Sequence, residues 1–251
     1  MKCAAYVAVL AVLVRNSHEA ILKLPTYLKP CSRNDSNFNA CALKNGISAL
    51  PKLVKGDASL HIPVLDPLRL DRIDVKQGSG PVRVELALTD VSVQGLKDAD
   101  LKAIDFDLAK NTLNVNFIVK KRADVSSRYS VDGQILVLPI KGDGDFNLKI
   151  DGLEGTFKCK FDLIKKEDGK QYAKIRDNSF DFEISNAIFD LKNLFNGDKV
   201  LGDTMNTFLN ENWREVYGEI KPAVAEVVRT VIVRILDEFT SLLPYDELFA
   251  A

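Results

Sequence analysis

Five oxygen-bearing side chains, Asp143, Asp145, Asn147, Asp151 and Glu154, fall at positions 1, 3, 5, 9 and 12 of a twelve-residue window. That is the spacing with which an EF-hand loop surrounds calcium. Position six of such a loop must turn sharply and takes glycine, and here it is Leu148. Phe146, Leu148 and Ile150 also alternate with Asp145, Asn147 and Lys149, so the acids already have a role as the wet face of a strand. The other candidate chemistry is thin. His61 is the only histidine beyond residue 20; it lies beside Pro63 in an expected strand and reads as a structural side chain. No Gly-x-Ser-x-Gly elbow supplies a nucleophile, no cysteine and histidine cluster has zinc spacing, and no glycine-rich loop has phosphate-binding spacing. Neither an enzyme nor a metal or other cofactor is expected.

The cysteines carry a different message. Cys31 and Cys41 bracket a short polar loop and are expected to pair in an oxidising compartment. Asn34-Asp35-Ser36 in that loop is a glycosylation sequon, which suits a surface loop of an exported protein. Cys159 is left over between Phe157 and Phe161 on an apolar strand face, where it reads as a small buried hydrophobe. Cys3 belongs to a segment with the order of a secretory signal: Lys2, an apolar run from Ala4 to Val14, then polar Arg15-Asn16-Ser17 and a small residue, Ala20. Eleven apolar residues are too few to span a bilayer, which needs about 20. Residues 1–20 are therefore expected to be a signal peptide, and 21–251 a single domain.

The full chain has 34 basic and 35 acidic side chains, a net charge of −1. Without Lys2, Arg15 and Glu19 the charge becomes −2. So even a balance predicts no nucleic-acid partner and no stable insertion into a membrane.

The chain reads as three regions. From Phe38 to Val54, Leu43, Ile47, Leu50 and Val54 recur at helical spacing. From Ala58 to Leu191 the period is two. Ile104, Phe106 and Leu108 form one apolar face, as do Leu113, Val115, Phe117 and Val119; Phe157, Cys159, Phe161 and Leu163; and Phe180, Phe182 and Ile184. Turn signals such as Gly142-Asp143-Gly144 and Glu167-Asp168-Gly169 separate such runs, which predicts an antiparallel sheet covered on one side. After Asn196 the helical period returns. Leu201, Met205, Phe208, Trp213, Val216 and Ile220 mark one face, Pro222 is the expected break, and Ala223–Leu243 is apolar over most of its circumference. Burial is satisfied if the sheet wraps around this helix. Periodicity does not decide whether the core so formed is filled or hollow, and a filled core is the simpler pattern.

Several stretches resemble the insect takeout / juvenile-hormone-binding protein family. They are Cys41-Ala42-Leu43, the run Ile62 to Leu68, Val91 to Leu96, Gly133 to Gly144, Leu194 to Asp198, Phe208 to Trp213, and Pro244 to Phe249. The resemblance runs in order along the mature chain. It implies an α+β fold, a long curved antiparallel sheet wrapped around a long C-terminal helix (a super-roll, TULIP-like), with an internal hydrophobic tunnel. It also implies a secreted carrier, expected to be monomeric, whose partner is a small hydrophobic ligand of terpenoid or fatty-acid type. The haemolymph hormone carriers of that family have a second disulfide, and Cys159 has no partner here, so the takeout branch is favoured. Phe106, Phe117, Val137, Phe146, Phe157, Cys159, Phe161, Phe182 and Phe208 are the expected lining, with Trp213 at the start of the helix. Each meets either the helix or the ligand, and spacing does not separate the two. The alternatives are a lipid-transfer protein acting at a bilayer, a secreted lipid esterase, and signalling through a receptor.

Overall fold

The computed structural model describes residues 24–77 and 81–250; the expected signal peptide lies outside them. In chain order the elements are β1 (Cys31–Ser32), α1 (Phe38–Leu53), β2 (Leu68–Gln77), β3 (Val82–Gln94), β4 (Ala99–Asp107), β5 (Thr112–Val119), β6 (Ala123–Ile135) and β7 (Leu138–Asp151). They continue with β8 (Glu154–Lys165), β9 (Gln171–Glu183), β10 (Asn186–Leu191), α2 (Lys199–Glu211), α3 (Trp213–Leu242), α4 (Tyr245–Leu248) and β11 (Phe249–Ala250). The period-two runs became the strands, and the paired amides of each run fixed their order.

The strands form two open antiparallel sheets, β10-β7-β6-β3-β2 and β4-β5-β8-β9. The curved sheet with a long C-terminal helix is as the sequence implied, divided into two. Helix α3 packs along β9 with smaller contacts to β2, β3 and β10, so it bridges the sheets. Its exposed positions recur every four residues, from Arg214 through Pro222, Glu226, Thr230 and Arg234 to Glu238. The helix is thus a wall of the roll with one narrow wet edge, and is not encircled.

Open sheets leave unpaired backbone groups that invite another strand. Helix side chains cover them here. Asn39 of α1 accepts from Phe106 N–H (2.9 Å) and donates to Phe106 C=O (3.3 Å) on the β4 edge. Asp237 of α3 accepts from Ile175 N–H on the β9 edge at 2.9 Å. Asn206 and Asn210 of α2 do the same for β10.

Three expectations about local structure need correction. The C-terminal helix breaks at Asn212 (φ −110°, ψ 26°), not at Pro222, which sits inside α3. Leu201, expected on the apolar face, is 50% exposed. Helix α1 is rotated from the expected stripe: Phe38 and Ala49 are buried while Ile47 is 46% exposed. The reason is Gly46, where a Cβ would lie 2.8 Å from Ile104 Cδ1 and 3.2 Å from Leu101 Cδ1. The helix nests on β4 through its small residues, which a count of large apolar side chains overlooks.

Candidate functional site

Buried residues gather in three clusters. One lies within the five-stranded sheet against α2 and the start of α3, around Tyr129, Phe146, Met205 and Trp213. A second holds Phe157, Cys159, Phe161, Ile175 and Tyr245. A third joins Leu60, Ile62 and Leu243 at the chain ends. Val224, Val227, Val228, Val231 and Ile235 of α3 belong to none of them, nor do Leu101, Ile104, Val115 and Phe117 of β4 and β5. All nine are half-buried. Val224 and Val228 lie on the side of α3 away from its wet edge, so what reaches them is not bulk solvent along that edge. Large aliphatic side chains in a close-packed interior would be covered almost completely.

Aromatic rings bound this region at both ends. Phe117 stacks on Phe180 (6.3 Å between centroids), Phe180 on Phe182 (5.8 Å), and Tyr217 meets Phe182 edge-on at 5.6 Å. Gly155 makes the room, since a Cβ there would strike the Phe117 ring at 2.4 Å. Tyr217 donates to Phe182 C=O at 2.7 Å, and burial, the largest influence, pushes its phenol up to about 12. At the other end Phe106, Phe249, Phe38 and Tyr245 form a second group, with Phe106 and Phe249 5.2 Å apart and Tyr245 and Phe249 4.8 Å apart. Beside it an apolar crevice of about 170 Å³ runs between α1 and the chain ends, past Leu24, Leu28, Ala49, Leu53, Phe239 and Leu248. A site for a drug-sized ligand needs roughly 300–1,000 Å³, so the crevice by itself is too small and has the proportions of a mouth. Two larger clefts, about 810 Å³ between β10 and α2 and about 570 Å³ between β9 and α3, are open and lined by charged and amide groups. They do not suit an apolar guest.

The expected lining residues separate on this map. Phe106, Phe117 and Phe182 stand in the two aromatic groups. Phe157, Cys159 and Phe161 are buried in the second cluster and Phe146 and Trp213 in the first, with Phe208 packed against it. Val137 is misplaced: Ile135 pairs with Leu138, so Leu136-Val137 is the hairpin turn, and Val137 is 80% exposed. The half-buried aliphatic residues of α3 were not among the expected lining; their signal in the sequence was a valine-rich helix.

Chemistry is sparse throughout. Among the described residues no three histidine, cysteine, aspartate or glutamate side chains could hold a metal. The calcium-like acids lie along β7 and into β8, where Asp145 pairs with Arg128 and Asp151 with Arg122. His61, expected in a strand, follows a 3-10 turn (Ala58–Leu60) with φ 55° and faces Glu238 at 3.2 Å. Cys31 and Cys41 are joined as expected. Cys159 is buried, and burial together with the Asp237 carboxylate pushes its thiol up to about 11. On the inner wall of β6, Ser127 is 8% exposed and its Oγ has no hydrogen-bond partner. No helix among the described residues is long and apolar enough to cross a membrane.

The sequence profile of the haemolymph juvenile hormone binding protein family matches residues 6–250. The chain belongs to that family. It is a family of ligand-binding carriers and not of enzymes, which disposes of the esterase alternative. The circadian clock-controlled protein daywake of Drosophila melanogaster is 26% identical over 231 residues, covering 90% of this chain and 88% of that protein. A putative beta-carotene-binding protein of Schistocerca gregaria is 23% identical over 200 residues, covering 80% and 79%. The crystal structure of Epiphyas postvittana Takeout 1 matches with a TM-score of 0.77 and 31% identity, covering 88% of this chain and 99% of that one. The family fold is therefore the fold described above.

Proposed function

We propose that this chain is an exported, monomeric carrier that encloses one lipophilic molecule of terpenoid or fatty-acid type in a tunnel between α3 and the two sheets, without changing it chemically. The observation that carries the reading is the partial exposure of Val224, Val228 and their neighbours on the inner side of α3. Valine and isoleucine walls interrupted by few polar groups select by shape and apolar area. Covering about 400 Å² of ligand surface contributes roughly 10 kcal/mol before entropic losses, enough for micromolar or tighter binding. Phe117, Phe182 and Phe106 are proposed to contact the guest, the clustered phenylalanines to shape the wall behind it. The family match and the putative carotene-binding relative support a hydrophobic guest. The disulfide and the exposed Asn34, a proposed glycosylation site, support export.

Native mass spectrometry of the chain from its own source, followed by extraction, tests this. The expected result is a one-to-one complex whose released lipid is recovered unchanged after long incubation. A protein that is empty and takes up neither a C16 fatty acid nor a sesquiterpenoid ester would overturn the reading.

A further inference from the structure

The net charge of −1 conceals an uneven distribution. Between Asp35 and Asp57 the chain has no acidic residue, while α1 and its C-terminal turn carry Lys44, Lys52 and Lys55. All three are exposed, as is Lys29, whose carbonyl is held by Asn45 of α1. None of the four forms an ion pair among the described residues. Several lysines on the sheets are neutralised by a neighbouring acid: Lys102 and Lys120 meet Asp100, Lys110 meets Asp107, and Lys141 meets Asp132. What sets α1 apart is that its lysines cluster on a stretch without acids.

Apolar groups flank this basic column. On a helix the arc from Leu50 through Leu43 and Ile47 to Pro51 adjoins Lys44. Ile47 is 46% exposed, and Val64, held next to the end of α1 by the Leu65 N–H to Val54 C=O bond of 2.9 Å, is 48% exposed. The opposite face of the same helix lines the apolar crevice through Ala42, Gly46, Ala49 and Leu53. One helix is thus the inner wall of the mouth and, outside, a basic amphipathic surface.

We infer that α1 docks the protein reversibly on an anionic phospholipid bilayer, its lysines at the headgroups and Ile47 and Val64 at the acyl boundary. Helices with this division lie in the interface plane, and each lysine near such a surface adds to the attraction. Docking this way sets the crevice, on the opposite face of α1, one helix diameter (about 10 Å) from the lipid, which shortens the path of a hydrophobic guest through water. The inference goes beyond the carrier reading and does not depend on which guest is carried.

Co-flotation of the mature chain with phosphatidylcholine vesicles, with and without about 30 mol % phosphatidylserine, tests it. Wild-type protein is expected to float with the anionic vesicles alone and to be released by raised salt. The triple variant K44Q/K52Q/K55Q should lose about tenfold or more in partitioning, and Ile47→Ser a smaller factor. K102Q/K110Q/K141Q, which removes paired lysines, should leave flotation unchanged. Uptake of a fatty-acid probe in vesicle-free solution should be the same for wild type and the K44Q/K52Q/K55Q variant. No flotation with anionic vesicles, equal flotation with both kinds, or an unaffected α1 triple variant would overturn the inference. Loss of both flotation and probe uptake would overturn it too, by assigning the lysines to the fold.

Discussion

The side-chain amide of Asn206 forms a two-way bridge with the backbone of Leu191, accepting from its N–H and donating to its C=O, both at 2.9 Å. Asn210 repeats the bridge on Phe189, at 2.7 and 2.9 Å. The repetition is geometric. Four residues of helix rise about 6 Å and two residues of strand about 6.6 Å, so amides at i and i+4 on α2 meet alternate residues of β10. The outermost strand of the five-stranded sheet thereby gains a partner made of side chains.

Replacing Asn206 and Asn210 together with alanine should therefore do more than weaken one helix contact. Each substitution leaves a backbone N–H and C=O pair on β10 to find water, at about 1–3 kcal/mol per position. The freed edge should also recruit a second chain. Urea unfolding should show the loss in stability and sedimentation velocity the new oligomers. A double variant as stable and as monodisperse as wild type would show that the bridges contribute nothing.

Much of the fold was legible because one-sided strands announce themselves by period two, and Phe157-Cys159-Phe161 and Phe180-Phe182 face inward as read. The failures each have a physical cause. The run Leu136-Val137-Leu138 has no alternation, so parity could not show that Val137 sits in the turn. The bridging role of Asn206 and Asn210 left no local signal, because their partners lie 15 and 21 residues away on a strand. The stripe from Leu201 to Ile220 continues across Asn212 and gives no sign of the break. The aliphatic wall of α3 was visible as hydrophobicity, but a hollow and a filled interior need the same residue types.

Ser127 offers a test of the inner wall. A hydroxyl buried without a partner costs about 1–3 kcal/mol, and alanine removes it with almost no change in shape. Ser127→Ala should raise the stability of the ligand-free protein by about 1 kcal/mol. A lowered melting temperature would mean that the hydroxyl is satisfied in solution.

The N-terminal arm is fastened by Tyr27, which donates to Asp57 Oδ2 at 2.5 Å. Burial first, then this bond, pushes the Tyr27 phenol from 10.0 to about 12, while Ser59 and Tyr27 hold the Asp57 carboxyl below its usual 3.8. The raised phenol contributes stability that is fully present below pH 10.0 and is lost as pH rises towards 12. The lowered carboxyl contributes above about pH 4 and fails as pH falls through its lowered value. The stability difference between wild type and Tyr27→Phe should thus be constant near neutrality and shrink between pH 10 and 12, read from urea midpoints. A difference independent of pH across that range would disconnect the arm from this bond.

Val228→Trp separates a hollow interior from a packed one. Val228 lies half-buried on the side of α3 opposite the wet edge marked by Glu226 and Thr230. Adding an indole to a filled core forces neighbours off their rotamers and costs about 1–3 kcal/mol. Added to a void, the ring instead covers the aliphatic walls already present, and the free protein loses nothing. Ligand uptake should move the other way, because the same ring occupies space that the guest needs. The expected pair of results is an unchanged or raised melting temperature with at least about tenfold weaker uptake of a C16 fatty acid, where each tenfold corresponds to about 1.4 kcal/mol. Destabilisation without any change in uptake would mean that protein atoms already fill the space beside Val228, and that the guest, if there is one, binds elsewhere.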